Sequence, residues 1–310
     1  MARTVLMIRQ QINLGFALVL VMALLIIFVV VDLRVKPDLI QQQQQQLAVN
    51  QDRLISLISA KLGQTELLAS TMALAASQLP KDEALFKALF PPIINNRGDS
   101  VIAGGGIWPE PGAFTEEAQR RSFFWARSAG NMRYLDDYND PDGVGYHTQQ
   151  WYQVGRNAPI DRCSWSKAYT DPFTDIPMVT CTLPMQENGR FTGVATVDMR
   201  LDGIKEILAR YGSEHGGYAF ALDSTGQMLS FPLSEAQLEH SAGSLMTARE
   251  LGQQLPWLSE ILNRAADLQS STLIALRDDG ILGEAAYVNL VKHPQTGWRI
   301  GLVVPQSRMT

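Results

Sequence analysis

The chain has 310 residues and a net charge of −5, with 46% apolar and 18% charged residues. This balance supports a packed core, argues against a mostly disordered chain, and gives room for one long domain or two ordinary ones. Residues 1–37 hold four basic residues, Arg3, Arg9, Arg34 and Lys36, against one acidic residue, Asp32, and the rest of the chain is acidic. The acidic remainder argues against a nucleic-acid partner.

From Leu14 to Val31 every residue is apolar or glycine. As a helix this run spans roughly 30 Å, one hydrocarbon core. No small-residue cleavage site follows in Val29-Val30-Val31-Asp32-Leu33-Arg34, so residues 12–33 read as an uncleaved signal anchor. Basic residues flank both of its ends, and the short tail 1–11 favours a cytoplasmic N-terminus with the rest of the chain outside. The reading is an inner-membrane protein with a periplasmic body. Its two cysteines, Cys163 and Cys181, suit an oxidising compartment.

Pro37 is expected to end the anchor region. Residues 34–79 then form a stalk, helical from 38 to 79. Gln41 to Gln46 are good helix formers, although such a run can also be a disordered tract. Apolar residues recur at Leu47, Leu54, Ile58, Leu62, Leu68, Met72 and Leu79, a stripe that needs burial against the chain's own domain or a second copy. Parallel association of two chains along this helix, a homodimer in a full receptor, is expected.

Leu79-Pro80 and Phe90-Pro91-Pro92 bracket a short helix. Strands follow at 100–108, 122–127 and 132–134, with Gly104-Gly105-Gly106 read as close packing or a bulge. A polar loop, 136–146, leads to a helix at 148–155. Further strands span 163–170, 178–185 and 190–199, the last two joined by a turn at Glu187-Asn188-Gly189. Leu201–Tyr211 is an amphipathic helix. A second unit has strands at 217–222, 227–231, 272–277, 285–291 and 299–304, and helical residues 247–266 broken by Pro256. The fold class is α+β: two α/β units with antiparallel sheets, 80–212 and 213–304, behind a long helix. Residues 305–310 read as the approach to a second membrane span.

The chain has no phosphate-binding loop, no metalloprotease motif and no nucleophile paired with a base, so it reads as a non-enzyme that needs no cofactor. Its four histidines are scattered, and no metal cluster is expected. The oxygen-rich loop from Asp136 to Gly143 raises a Ca²⁺-responsive alternative, against its ordinary reading as turn formers. Strands 163–170 and 178–185, paired around a turn near residue 173, oppose Cys163 to about residue 183. That is close enough to Cys181 for a disulfide, with two buried free thiols as the alternative.

The stretch 104–201 carries Gly105-Gly106-Ile107-Trp108-Pro109-Glu110-Pro111, Trp151-Tyr152, Trp165-Ser166-Lys167-Ala168-Tyr169-Thr170-Asp171-Pro172 and Gly193-Val194-Ala195-Thr196-Val197-Asp198-Met199. Together with the anchor, the long helix and the closing Gly297-Trp298-Arg299-Ile300, it resembles the double Cache sensor domains of bacterial transmembrane receptors. The resemblance covers roughly 38–304. It implies a membrane-distal unit that binds small ligands, often amino acids or amines, through Trp151, Tyr152, Tyr169, Asp171 and Asp198. An arginine of the family pattern is replaced by Gln149, and a tyrosine by Val144, with Tyr146 nearby. That arginine receives an amino acid's carboxylate in the family, so its loss points away from an ordinary α-amino acid.

The residues support a related reading on their own. Strand alternation places Trp165, Lys167, Tyr169 and Asp171 on one face. Asp198 sits in an apolar strand and needs a partner. A ligand ammonium would serve, with π faces from Tyr169, Tyr152 and Trp151; so would Lys167 or a backbone N–H, the aromatics then being core. The expected function is ligand sensing for signal transduction, chemoreceptor-type, with a small amine as ligand. The alternatives are the sensory part of a diguanylate cyclase or histidine kinase, and an ectodomain that binds nothing.

Overall fold

The computed structural model describes residues 2–116, 119–232, 239–240, 244–266 and 269–309. It opens with helix α1 (Ala2–Val30), a π turn (Val31–Val35) and helix α2 (Lys36–Gln78). Among the described residues one helix, near the N-terminus, is long and apolar enough to cross a membrane. Pro37 does not end it. The Lys36 N–H bonds the carbonyl of Val31, one residue wider than an α turn. The wide turn absorbs the missing Pro37 N–H, and the helix resumes with proline in its first turn, where it is tolerated. The glutamine run is helical throughout.

Within the body, α2 buries Leu54, Ile58, Leu62, Ala69 and Met72, while Leu68 and Leu79 are half-buried. The chain itself therefore covers this stripe. Leu57, Leu67 and Leu74 lie on another face of α2 and are 51%, 67% and 67% exposed.

Helix α3 (Glu83–Asn95) starts at Asp82, whose carboxylate accepts from the Leu85 N–H at 2.9 Å. It runs through Pro91-Pro92 rather than stopping there. Phe86, Phe90 and Ile94 are buried one turn apart on one face, and that packing outweighs the lost backbone bonds.

The first sheet contains β1 (Ile102–Pro109), β2 (Phe123–Ser128), β3 (Asn131–Leu135), β4 (Ser164–Trp165), β5 (Tyr169–Thr170), β6 (Pro177–Glu187) and β7 (Arg190–Arg200). Its order is β3-β2-β1-β7-β6-β4, with β5 also pairing with β6, all antiparallel. The β6–β7 turn places Asn188 at φ 53° and Gly189 at φ 75°, as a tight hairpin requires. The close-packing reading of the glycine triplet holds, while the bulge lies just before it, at Ala103. A Cβ at Gly104, Gly105 or Gly106 would strike the backbone of β2 or β7, and the β1–β7 register slips between Ile102 and Gly104. Helix α4 (Gln150–Arg156) packs on β6 and β7.

The continuous strand expected over 163–170 is instead two short pieces, β4 and β5. Ser166 interrupts them: its hydroxyl donates to the Lys167 carbonyl at 2.8 Å and accepts from the Thr180 N–H at 2.9 Å. A side chain that competes for backbone groups breaks a ladder in this way.

Helix α5 (Leu201–Glu214) contacts both sheets. The second sheet, in the order β12-β13-β14-β8-β9, is antiparallel: β8 (Tyr218–Leu222), β9 (Met228–Ser230), β12 (Ser271–Asp279), β13 (Glu284–Lys292) and β14 (Arg299–Pro305). A two-residue ribbon, β10 (Glu239–His240) and β11 (Ser244–Leu245), lies apart from it. Helices α6 (Ala248–Gln254) and α7 (Pro256–Ala266) meet at Pro256, and a Thr247–Glu250 capping box starts α6. Phe220, Phe231, Leu258, Ile261 and Val288 fill the core beneath this sheet.

Candidate functional site

The register of the first sheet assembles one polar face. Gly104 pairs with Asp198 and Asp198 with Thr180; Gly106 pairs with Thr196 and Thr196 with Thr182. The two glycines present no side chain beside Asp198 and Thr196. An aromatic cluster of Trp108, Phe124, Tyr138, Tyr146, Trp151 and Tyr152 packs with Val194 of this face. Trp108 lies 4.6 Å from Trp151 and 5.2 Å from Tyr138, centroid to centroid. Its indole N–H donates to Thr196 Oγ1 at 2.8 Å, and Thr182 Oγ1 donates to the Trp151 carbonyl at 2.9 Å. The second bond ties α4 to the sheet.

Asp198 is 3% exposed. Its one hydrogen bond among the described residues comes from Thr180 Oγ1 at 2.8 Å. Thr180 Oγ1 in turn bonds the Tyr169 hydroxyl at 2.7 Å. Among the described residues no basic side chain pairs with Asp198. Burial pushes its carboxyl up to about 7, and the nearby Asp171 charge adds to the rise although the Thr180 bond opposes it. Burial, then the charge of Asp198, likewise pushes Tyr169 upward.

Asp171 differs. Its Oδ1 accepts from the Tyr138 hydroxyl at 2.8 Å, and its Oδ2 accepts from the Thr174 N–H at 2.9 Å and the Thr174 hydroxyl at 2.7 Å. It is the cap of its own turn, and its lone pairs are largely spent.

The remaining expected residues sort by position. Trp151 is 4% exposed, and its indole N–H has no partner among the described residues. Tyr152 donates its hydroxyl to Glu110 Oε2 at 2.7 Å, and Arg156 holds the other Glu110 oxygen at 2.8 Å. Tyr146 donates to the Pro109 carbonyl at 2.7 Å. Gln149, half-buried, stands at the start of α4. Lys167 is exposed, so it does not neutralise Asp198. Trp165 turns to Trp298 of the second unit, edge to face at 5.6 Å. The single face drawn through Trp165, Lys167, Tyr169 and Asp171 fails because the strand breaks at Ser166. Trp108, Tyr138, Thr180 and Thr196 belong to the site and were not expected there. Thr180 was within reach, because the β6–β7 hairpin register sets it opposite Asp198.

Cys163 and Cys181 are joined in a disulfide, with Cα atoms 5.2 Å apart. Trp165 pairs with Cys181, so the bridge runs diagonally from the edge piece to the residue beside Thr180. In the loop 136–143 the carbonyls of Asp140 and Gly143 accept from Arg120 Nη1 at 2.8 and 3.0 Å, and that of Pro141 from Nη2 at 3.1 Å. Arg120 thus occupies three main-chain carbonyls of this loop. Among the described residues no group of three or more His, Cys, Asp or Glu is placed to hold a metal ion.

The candidate site is thus a buried carboxylate on a sheet face that also carries an aromatic cluster. Residues 92–206 match the family of methyl-accepting chemotaxis protein-like first PDC sensor domains. The chain shares the double Cache fold of the solved structures below. It is 22% identical over 161 residues to the methyl-accepting chemotaxis protein McpC of Bacillus subtilis, covering 43% of this chain and 24% of that one. The chain thus spans about a quarter of the length of the curated relatives it matches. Among solved double Cache structures, methyl-accepting chemotaxis protein X superposes with a TM-score of 0.61 at 18% identity, over 88% of this chain and 99% of that one. The ligand-binding domain of the Campylobacter jejuni chemoreceptor Tlp3, in complex with 4-methylisoleucine, gives 0.56 at 15% identity, over 88% and 93%. That of the Pseudomonas aeruginosa amino acid chemoreceptor PctC, in complex with GABA, gives 0.52 at 20% identity, over 85% and 99%.

Proposed function

We propose that this chain is the extracytoplasmic sensor of a chemoreceptor-type membrane receptor, and that its first unit binds a small amine at Asp198. The observation that carries the reading is a carboxylate buried in an apolar strand, with one hydroxyl bond and no cation among the described residues. A ligand ammonium supplies the missing charge, and the faces of Tyr169, Tyr138 and Trp151 suit a cation. The unpartnered Trp151 N–H calls for an acceptor on the same ligand. With Gln149 in place of an arginine, a neutral hydroxyl or carbonyl fits better than a carboxylate. GABA in PctC is an amine without an α-carboxylate; 4-methylisoleucine in Tlp3 is an α-amino acid, so the two neighbours bracket the choice.

Residues 12–33 anchor the sensor in the inner membrane, and the body, divided as 80–212 and 213–304, faces the periplasm. The relatives named above are chemotaxis proteins, which favours a chemotaxis output over a cyclase. Two copies pair in the full receptor. Because the chain covers the Leu54–Met72 stripe, the pairing face is the exposed one at Leu57, Leu67 and Leu74, whose spacing approximates a heptad seam.

A thermal-shift screen of the full chain against small amines and amino acids tests the ligand class. Amines bearing a hydroxyl should raise the melting temperature, and Asp198→Ala should remove the effect while the variant still unfolds cooperatively. Shifts with α-amino acids alone would refute the amine reading.

A further inference from the structure

The peptide of Ala168 is held by the second unit. Its N–H donates to Asp223 Oδ2 at 3.1 Å. Its carbonyl accepts from the Gln227 side-chain amide at 2.9 Å, with that amide oriented so that donors meet acceptors. Asp223 is fully buried, and its other oxygen binds its own turn: the Thr225 N–H at 2.8 Å, the Thr225 hydroxyl at 2.7 Å and the Gln227 N–H at 2.9 Å. One oxygen shapes the β8–β9 turn, and the other reaches into the first unit.

On the site side the same segment is tied to Thr180. The Ser166 N–H donates to the Thr180 carbonyl at 2.9 Å, and Ser166 Oγ accepts from the Thr180 N–H. Tyr169, next to Ala168, bonds Thr180 Oγ1, which donates to Asp198. The path from Asp198 through Thr180, Tyr169 and Ala168 to Asp223 and Gln227 consists of hydrogen bonds and one peptide link. A cation at Asp198 competes with the Thr180 hydroxyl for the carboxylate, and that hydroxyl is the partner of Tyr169.

We infer that Asp223 and Gln227, in the second unit, are positioning residues for the ligand site: through the Ala168 peptide they hold Tyr169 and Thr180 against Asp198, and the β8–β9 turn senses occupancy through the same contact. The ligand part of this inference rests on the proposed role of Asp198. Coupling of this kind is reciprocal, so whatever occupancy does to the turn, the turn does to affinity.

The test is amide hydrogen exchange on the full chain in lipid nanodiscs, with ethanolamine as the probe. Saturating ethanolamine should change exchange at Ala168, Thr225 and Gln227 by about fivefold or more, the lower range of allosteric couplings. Gln227→Met keeps the side-chain length and removes the amide. It should abolish the change at Thr225 and, by the same reciprocity, raise the ethanolamine concentration needed for the change at Thr180, which persists at saturation; a merely structural role would not split the two in this way. A ligand-free arm separates this inference from the amine reading: Asp198→Asn alone should alter exchange at Thr225 and Gln227, and should not do so in a Thr180→Val background. If ethanolamine is inert but the Asp198→Asn effect reaches the turn, the positioning role stands and the ligand class falls. If Asp198→Asn leaves Thr225 and Gln227 unchanged, or acts equally with Thr180→Val, the positioning role is overturned.

Discussion

Asp198→Asn should stabilise the ligand-free protein at and above neutral pH. Burial, reinforced by Asp171, raises the Asp198 carboxyl from 3.8 to about 7. The folded state therefore keeps a proton that the unfolded chain releases near pH 4. The stability this carboxyl contributes is fully present below its unfolded value and is lost as pH rises through its folded value. At 1.36 kcal/mol per pH unit, the loss is about 4 kcal/mol between about pH 4 and about pH 8. Asparagine keeps the shape and cannot ionise. Parent and variant should match near about pH 4 and diverge by up to about 4 kcal/mol near about pH 8. Urea unfolding followed by tryptophan emission reports it, since Trp108 and Trp151 lie in the aromatic cluster above the site face. Equal stability of the two proteins across this range would refute the claim that Asp198 lacks a cation.

Reducing the Cys163–Cys181 bridge, which closes a loop with a sequence separation of 18, should cost about 3 kcal/mol and loosen the β4 edge; unchanged urea midpoints with and without reductant would contradict this. Gly155→Ala places a methyl against Thr182 and Val194. It should destabilise by about 1–3 kcal/mol and weaken ligand binding by shifting Trp151, both measurable on one purified variant. In membranes, cysteines at Leu57, Leu67 and Leu74 should crosslink and those at Leu54 and Met72 should not; crosslinking without a helical period would reject the pairing face.

Elements with a strong period were legible in the sequence. The apolar run of α1 and the alternating strands β6 and β7 follow from patterning alone, and the cysteine register followed from hairpin geometry. What escaped depended on contacts that pattern does not encode. Pro37 looked like a stop, because a π turn that absorbs a proline has no sequence signal. Pro91-Pro92 looked like a boundary, because the burial of Phe86, Phe90 and Ile94 that carries α3 through them is tertiary. Ser166 breaks the edge strand through one hydroxyl, and that break sends Trp165 to the second unit and Lys167 to solvent. At the candidate site, Asp198 and Trp151 came from the family resemblance, because residue chemistry alone left Lys167 or a backbone N–H as the partner of Asp198 and the aromatics as core. The different fates of the two carboxylates depended on Thr174 and Tyr138 capping Asp171, a local turn that composition does not reveal.

The most direct test of the central claim is calorimetric titration of the full chain with ethanolamine and with serine, its α-carboxylated counterpart, in buffers of different ionisation enthalpy. Ethanolamine should bind more tightly than serine. Near about pH 6 its binding should release close to one proton, and its affinity should fall about tenfold per unit as pH drops further. Tighter binding of serine, or ethanolamine binding with no proton release, would contradict an ammonium at Asp198.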